Sequence, residues 1–270
     1  MKHFAVVGIV AILATASNAS AFQTVSTERW KSYTDMRSVR SLQHAGEQVW
    51  AATAGGAFSY TPSSNQFSQY TNSDGLSTND ITAVTRDSQS RLWFGTTEGF
   101  LNMFDPAKNE WKEIRGIAES DRVLKAVRTL YAHNDSLLIG TEFGVVAYLM
   151  AKEEFGDTYS NFGFVSQPKV NDIVVHQNVI WVATDSGVVS APLSFPNLSS
   201  PLVWSRYSTG SAPGSNNVTS LAVFKNILYA GTSNGVAYVQ NGSFVELAQL
   251  AGVSVIAMEP SSAGDEKLFI

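Results

Sequence analysis

The chain has 270 residues, 18 basic against 23 acidic side chains, a net charge of −5 and no cysteine. The absence of thiols excludes disulfides, cysteine metal sites, thiol catalysis and a lipid anchor on an N-terminal cysteine. No basic run occurs anywhere, which argues against nucleic acid or an anionic lipid surface as a partner.

The first element is Met1-Lys2-His3, an apolar run from Phe4 to Thr15, and small residues ending in Ala19-Ser20-Ala21. A short charged start, an apolar stretch of secretory length and an A-x-A site predict a signal peptide, residues 1–21, and an exported protein, periplasmic or at the cell surface. The run of 12 apolar residues falls short of the ~20 that span a bilayer, and no other stretch is long and apolar enough to do so. Removing Lys2 leaves 17 basic against 23 acidic residues in 22–270, a net of −6.

Next comes Arg29-Trp-Lys-Ser-Tyr-Thr34, which reads like Asn109–Arg115 (NEWKEIR) and is predicted as an outer strand ahead of the first complete unit. A motif then occurs five times: VWAATAGG at Val49–Gly56, LWFGTTEG at Leu92–Gly99, LLIGTEFG at Leu137–Gly144, IWVATDSG at Ile180–Gly187 and LYAGTSNG at Leu228–Gly235. Its closing glycines are 43, 45, 43 and 48 residues apart. A period of ~40–50 residues built from short strands predicts an all-β fold, a β-propeller of four-stranded antiparallel blades.

Each unit opens with an alternating segment: Val39-Arg-Ser-Leu42, Ile81-Thr-Ala-Val84, Val127-Arg-Thr-Leu130, Val170-Asn-Asp-Ile173 and Val218-Thr-Ser-Leu221. The second strand, as in Leu92-Trp-Phe94, is apolar on both faces, as expected of a sheet sandwiched between two neighbours. The T-x-x-G element, with Thr53, Thr96, Thr141, Thr184 and Thr232, then reverses the chain in a hairpin that needs a residue at positive φ. A third strand and a fourth follow, the fourth with an aromatic near its start (Phe67, Trp111, Trp204, Phe244) and a less clear pattern around Phe155 and Tyr159 in the third unit. A sixth unit is predicted to open at Val253-Ser-Val-Ile256 and breaks off at Lys267–Ile270, before any G-T-x-x-G. The expectation is therefore five complete blades and a fragment, an incomplete ring belonging to a longer gene product.

The stretch Gly75-Leu-Ser-Thr-Asn-Asp-Ile-Thr-Ala-Val84, followed by Asp87-Ser-Gln-Ser-Arg-Leu-Trp-Phe-Gly-Thr-Thr-Glu-Gly99 and Phe104-Asp105, resembles the two-component-regulator propeller repeat. The second unit fits best, and the others keep the GT-x-x-G core with Ala52 and Ala183 in place of the first glycine. The resemblance runs from about Trp30 to the C-terminus. It implies an exported sensor or binding module. Some members are periplasmic halves of hybrid histidine kinases that respond to oligosaccharides, and others are surface proteins of type IX secretion. Trp30-Lys-Ser-Tyr33, Ala57-Phe-Ser-Tyr60 and Gly75-Leu-Ser77 look closer to the second group. The family offers no fixed catalytic residues to carry over.

Among chemistry-bearing residues, His44, His133 and His176 all fall between the first and second strands of their units. Blades pack ~10 Å apart, whereas a metal needs nitrogens ~2 Å from one ion, so these read as turn residues and no metal or other cofactor is assigned. Trp50, Trp93 and Trp181 share one repeat position and read as packing between blades. Arg86-Asp-Ser-Gln-Ser-Arg-Leu-Trp93 is loosely similar to the aspartate box of sialidase propellers, without its glycine and threonine.

The candidate ligand face consists of Glu98, Glu142, Asp185 and Asn234 in the T-x-x-G turns. These turns share one end of the blades with the joining loops Thr71–Asp80, Arg115–Ala126, Asn161–Lys169, Thr209–Asn217 and Val245–Gly252. Together they are expected to rim a central channel able to bind sugar hydroxyls or a protein segment. With no phosphate loop, nucleophile elbow or H-E-x-x-H, the sequence reads as a non-enzymatic binding module for a protein or oligosaccharide. The alternative is a polysaccharide lyase or glycosidase at the channel mouth, for which two carboxylates ~5–10 Å apart would be needed.

Overall fold

The structure, a computed structural model, describes residues 33–208, 214–261 and 267–270. The leader call at 1–21 lies outside the described residues, as does most of the predicted outer strand at Arg29–Thr34. Its last two residues, Tyr33 and Thr34, belong to no strand. Instead the Thr34 hydroxyl donates to the carbonyl of Gly55, and Met36 packs against Gly56. The segment thus caps the T-x-x-G turn of the first blade.

Five four-stranded antiparallel sheets follow, each in simple meander order. First strands are Val39–Ala45, Ile81–Arg86, Val127–His133, Val170–His176 and Val218–Phe224; second strands are Gln48–Thr53, Leu92–Thr96, Ser136–Thr141, Val179–Thr184 and Ile227–Thr232. Third strands are Gly56–Thr61, Leu101–Asp105, Gly144–Leu149, Gly187–Pro192 and Gly235–Gln240, and outer strands are Gln66–Tyr70, Glu110–Ile114, Glu154–Tyr159, Ser205–Tyr207 and Ser243–Glu246. The first strand of each blade touches the first strand of the next, which makes these the innermost strands. The fold is that of propeller blades not closed into a ring.

The core lies between blades. Trp93 of the second blade packs edge-on against Tyr148 of the third, in one cluster with Leu101, Val127, Leu137 and Ile139. Gly95, Gly140 and Gly231, the first glycine of GT-x-x-G, sit where a Cβ would strike Val127, Val170 and Val255 of the following unit. These glycines let a β-branched side chain press directly onto the neighbouring backbone.

In the T-x-x-G turn the buried threonine does two jobs. Its hydroxyl donates to the carbonyl of the closing glycine at Thr53, Thr141, Thr184 and Thr232 (2.7–2.9 Å), and accepts the N–H two residues on. The closing glycines Gly56, Gly144, Gly187 and Gly235 have φ of 123–134°, and at the first three a Cβ would lie against the carbonyl of Tyr70, Tyr159 or Tyr207, where the outer strand ends. The second blade differs although its sequence fits the repeat best. Thr96 pairs with Phe100, which leaves three residues in the loop, and Gly99 absorbs the extra one at φ 89°.

Two sequence expectations are corrected. Trp204 precedes its outer strand as the cap of a short 3₁₀ turn, whereas Phe67, Trp111 and Phe244 stand at the second position of theirs. The sixth unit begins at Val255, two residues later than the apolar spacing implied. Residues 253–256 form no strand, yet Val255 packs on Gly231 as Val127 does on Gly95, and its N–H donates to the carbonyl of Thr232 (2.9 Å). The only strands beyond it among the described residues are Glu259–Pro260 and Leu268–Phe269, paired with each other.

Candidate functional site: the channel and its rim

The innermost strands are stitched together by side chains. The second residue of each donates to the carbonyl of the first residue of the next: Arg40 to Ile81, Thr82 to Val127, Arg128 to Val170, Asn171 to Val218 and Thr219 to Val255, at 2.5–3.3 Å. Sequence reasoning passed over this ladder. Its signal was present, since position two of every opening segment is a donor.

Third-position residues add a second tier. Ser41 Oγ accepts the N–H of Val84 (3.2 Å), and Asp172 Oδ2 accepts the N–H of Leu221 (2.8 Å). Asp172 Oδ1 also accepts from Ile173 N–H (2.8 Å) and from the Thr129 hydroxyl (3.4 Å), so one carboxyl ties together the third, fourth and fifth blades. By the same pattern Ser220 would accept the N–H of Met258. Its Oγ is buried without a partner among the described residues, and residues 253–258 form no strand to offer one.

These strands surround a cavity of about 610 Å³ lined by Ser41, His44, Thr129, Asp172, Ser220 and Glu259, among others. Loss of solvent pushes the Asp172 carboxyl up to about 6, against the backbone and Thr129 hydrogen bonds that favour its charge; the neighbouring Glu259 adds to the rise. Burial raises Glu259 as well. Arg40 and Arg128 also line the cavity but are engaged at its rim, Arg40 with Asp80 and Arg128 with Asn171 and Glu142.

The four candidate residues of the ligand face lie in the T-x-x-G turns, none of them among the residues that line this cavity, and they are not equivalent. Glu142 is held between Arg128 (3.9 Å) and Lys169 (3.7 Å) and is mostly buried. Asp185 is exposed and accepts the backbone N–H of Lys169 (3.3 Å). Glu142 and Asp185 are thus joined through one lysine in the loop between the third and fourth blades. Asn234 is exposed and donates to Gly214 O (3.2 Å). Glu98 is exposed in the longer turn of the second blade, one position out of step with Glu142. A further rim pair, Asp80 with Arg40 and the Thr97 hydroxyl, was not singled out from the sequence.

The remaining sequence candidates separate. Trp50 and Trp93 are core residues, whereas Trp181 is only partly buried. Asp87 of the aspartate-box-like segment is a structural residue: its buried carboxylate accepts from Gln89 and Arg91 N–H, Arg91 Nε and Trp93 Nε1 at 2.7–2.9 Å. His44, His133 and His176 each line a different cavity, so the fold does not bring them together.

The family model described as TSS9, PorZ, N-terminal β-propeller domain matches residues 24–205. The chain belongs to this family. Among solved structures it is similar to PorZ of Porphyromonas gingivalis, a surface component of the type-IX secretion system, at 17% identity and a TM-score of 0.65, over 81% of this chain and 29% of that one. It is similar to the extracellular domain of the putative hybrid two-component system BT3049 of B. thetaiotaomicron at 19% identity and a TM-score of 0.63, over 88% and 32% of the two chains. A chain of the mitotic checkpoint complex shares the fold at 14% identity and a TM-score of 0.64, over 94% and 79%. At these identities the likeness is one of fold. The chain spans about a third of the length of its secretion and sensor neighbours. No curated protein sequence matches it significantly. Among the described residues no helix is long and apolar enough to cross a membrane.

Proposed function

We propose that this PorZ-family propeller is an exported, non-enzymatic binding module that takes a protein or oligosaccharide partner at its channel mouth, in surface assembly or ligand recognition. The observation that carries this reading is the rim. Arg40–Asp80–Thr97 and Arg128–Glu142–Lys169–Asp185 gather paired charges from successive blades, and Arg40 and Arg128 reach from them into the cavity lining. A partner gains by exchanging the more exposed of these pairs, such as Arg40–Asp80, for its own, since surface ion pairs are individually weak. The family supports it, because its similar structures belong to secretion and sensor proteins.

The test compares wild type with the triple variant Glu98→Ala, Glu142→Ala, Asp185→Ala in pull-downs from the parent cells and on a panel of soluble oligosaccharides. The expected result is weakened capture with an unchanged fold. Equal capture by both overturns the assignment of the rim. A second reading, a glycosidase, draws on Asp172 and Glu259, two carboxyls with raised proton affinity lining one cavity. Release of shortened sugars by wild type, lost in Asp172→Asn or Glu259→Gln, would replace binding by catalysis.

A further inference from the structure

Each blade meets the next through two facing positions, one on its own second strand and one on the third strand of its successor. Between the first and second blades these are Trp50 and Phe104, with ring centroids 5.4 Å apart. Between the second and third they are Trp93 and Tyr148, 5.7 Å apart. Between the fourth and fifth, Trp181 is kept but Val239 stands in the second position, and both line a cleft of about 190 Å³. The third and fourth blades have neither ring. Leu138 holds the tryptophan position, and the strand pairings put Ala191 where the other blades have Phe104 and Tyr148. A cleft of about 360 Å³ lies at this contact, lined by Leu138 and, two residues beyond Ala191, by Leu193. Smaller core side chains leave space that the surroundings only partly reclaim, and here the space is larger where two rings are missing than where one is.

The walls of this cleft are chemically distinct. Leu138, Ala147 and Leu149 form an apolar side on the third blade. Gly156 adds no bulk, although a Cβ there would stand 3.6 Å from Ala147 and 3.7 Å from Leu149, in ordinary contact. The outer strand gains a residue on the third strand between Val146 and Tyr148, so that Gly156 and Asp157 together oppose Ala147. Asp157 and Tyr159 both line the cleft. Burial, and after it the charge of Asp157, raises the Tyr159 phenol, which marks the two as neighbours. Asp157 is exposed and has no ion-pair partner among the described residues, so the cleft offers an unengaged carboxylate beside its apolar side.

We propose that this cleft binds a small neutral aromatic molecule carrying a hydrogen-bond donor, an indole or a phenol, whose ring takes the space of the missing pair and whose N–H or O–H donates to Asp157. The precedent lies within the chain. Trp93, at the repeat position of Leu138, is held by its ring on Tyr148 and by its indole N–H on the Asp87 carboxylate. Space is sufficient, since an apolar cavity of about 150 Å³ already admits benzene. The site goes beyond the rim: His133 and Ser136 line it beside the hairpin at the opposite end of the blade from the T-x-x-G turn.

The test is a titration of the full chain with indole and with 1-methylindole, which keeps the ring and lacks the donor. It is read from the methyl ¹H–¹³C resonances of Leu149 and Leu193. The expected result is saturable shifts of both, with a dissociation constant of about 1 mM or below and indole tighter than 1-methylindole by about threefold or more. Leu138→Trp restores the residue of the first, second and fourth blades and should abolish binding. Gly156→Val narrows the cleft from the outer strand and gives the same reading should the larger ring not be accommodated. Asp157→Ala should keep binding but erase the preference for indole. No saturation, undiminished binding in both filled variants, or a preference that survives Asp157→Ala overturns the proposal. Tighter binding of N-acetyl-tryptophan amide than of indole overturns the small-molecule ligand in favour of a ring carried by a partner chain. None of these readouts involves the T-x-x-G turns, so the two sites fail or stand separately.

Discussion

The first and third blades carry the same opening pattern and bury it differently. Val127 and Leu130 are 0% and 7% exposed; Val39 and Leu42, at the same positions, are 45% and 62% exposed. The alternation of the first strand is local, but its burial is supplied by the blade before it. A blade is thus half of a core, as in other repeat folds where stability is a sum of interface terms between neighbours. Polar positions show the same contrast. Ser41 in the first blade and Asp172 in the fourth both receive the fourth-position N–H of the next first strand. Ser41 does so with a neutral hydroxyl, whereas Asp172 does so with a group that titrates.

The largest test of the shared core is Trp93→Ala. Trp93 lies between the second and third blades on Tyr148, and its loss should cost about 3–5 kcal/mol in denaturant unfolding. A loss under ~1 kcal/mol would mean that the blades do not depend on this contact. The contrast between blades is tested directly by Leu130→Ala, expected to cost about 2–5 kcal/mol, against Leu42→Ala, expected below ~1 kcal/mol. Equal costs would show that the uncovered face of the first blade is covered in solution.

Asp172 gives a pH signature that Ser41 cannot. Its carboxyl is raised in the folded state from 3.8 to about 6, so the folded chain binds this proton more tightly than the unfolded one. The resulting stabilisation is complete below about 3.8 and is lost as pH rises through about 6. Wild type should therefore gain a few degrees in Tm, relative to Asp172→Asn, on going from pH 7 to pH 4. Parallel profiles would remove Asp172 from the account. The smallest stability effect is expected at the rim. Glu98→Ala and Asp185→Ala stand at exposed turn positions and should each change stability by less than ~0.5 kcal/mol. Glu142→Ala should cost somewhat more, because Arg128 and Lys169 then lose their shared partner.

Much of the fold was legible because it is local and repeated. The T-x-x-G turn needs its threonine and its positive-φ glycine whatever surrounds it, and five copies fix the blade period. The register of the sixth unit was misread for the complementary reason. Val253-Ser-Val-Ile256 and Val255-Ile-Ala-Met258 both satisfy an apolar-x-x-apolar pattern, and only contact with Gly231 and the Thr219 hydroxyl selects the second. The extra residue in the second-blade turn was not legible, because the T-x-x-G pattern is kept there and only the pairing of Thr96 with Phe100 shows the longer loop. At the candidate site the acidic turn residues were visible, but their partners were not. Arg128 and Lys169 are 14 and 27 residues from Glu142 in sequence.

The sequence by itself determined the strands, the turns and the number of complete blades, since each rests on contacts between residues a few positions apart. The tertiary structure alone decided which opening strands are buried, which rim acids are neutralised and why the Asp172 carboxyl is raised. Those properties come from groups in different strands or different blades, and only packing brings such groups together.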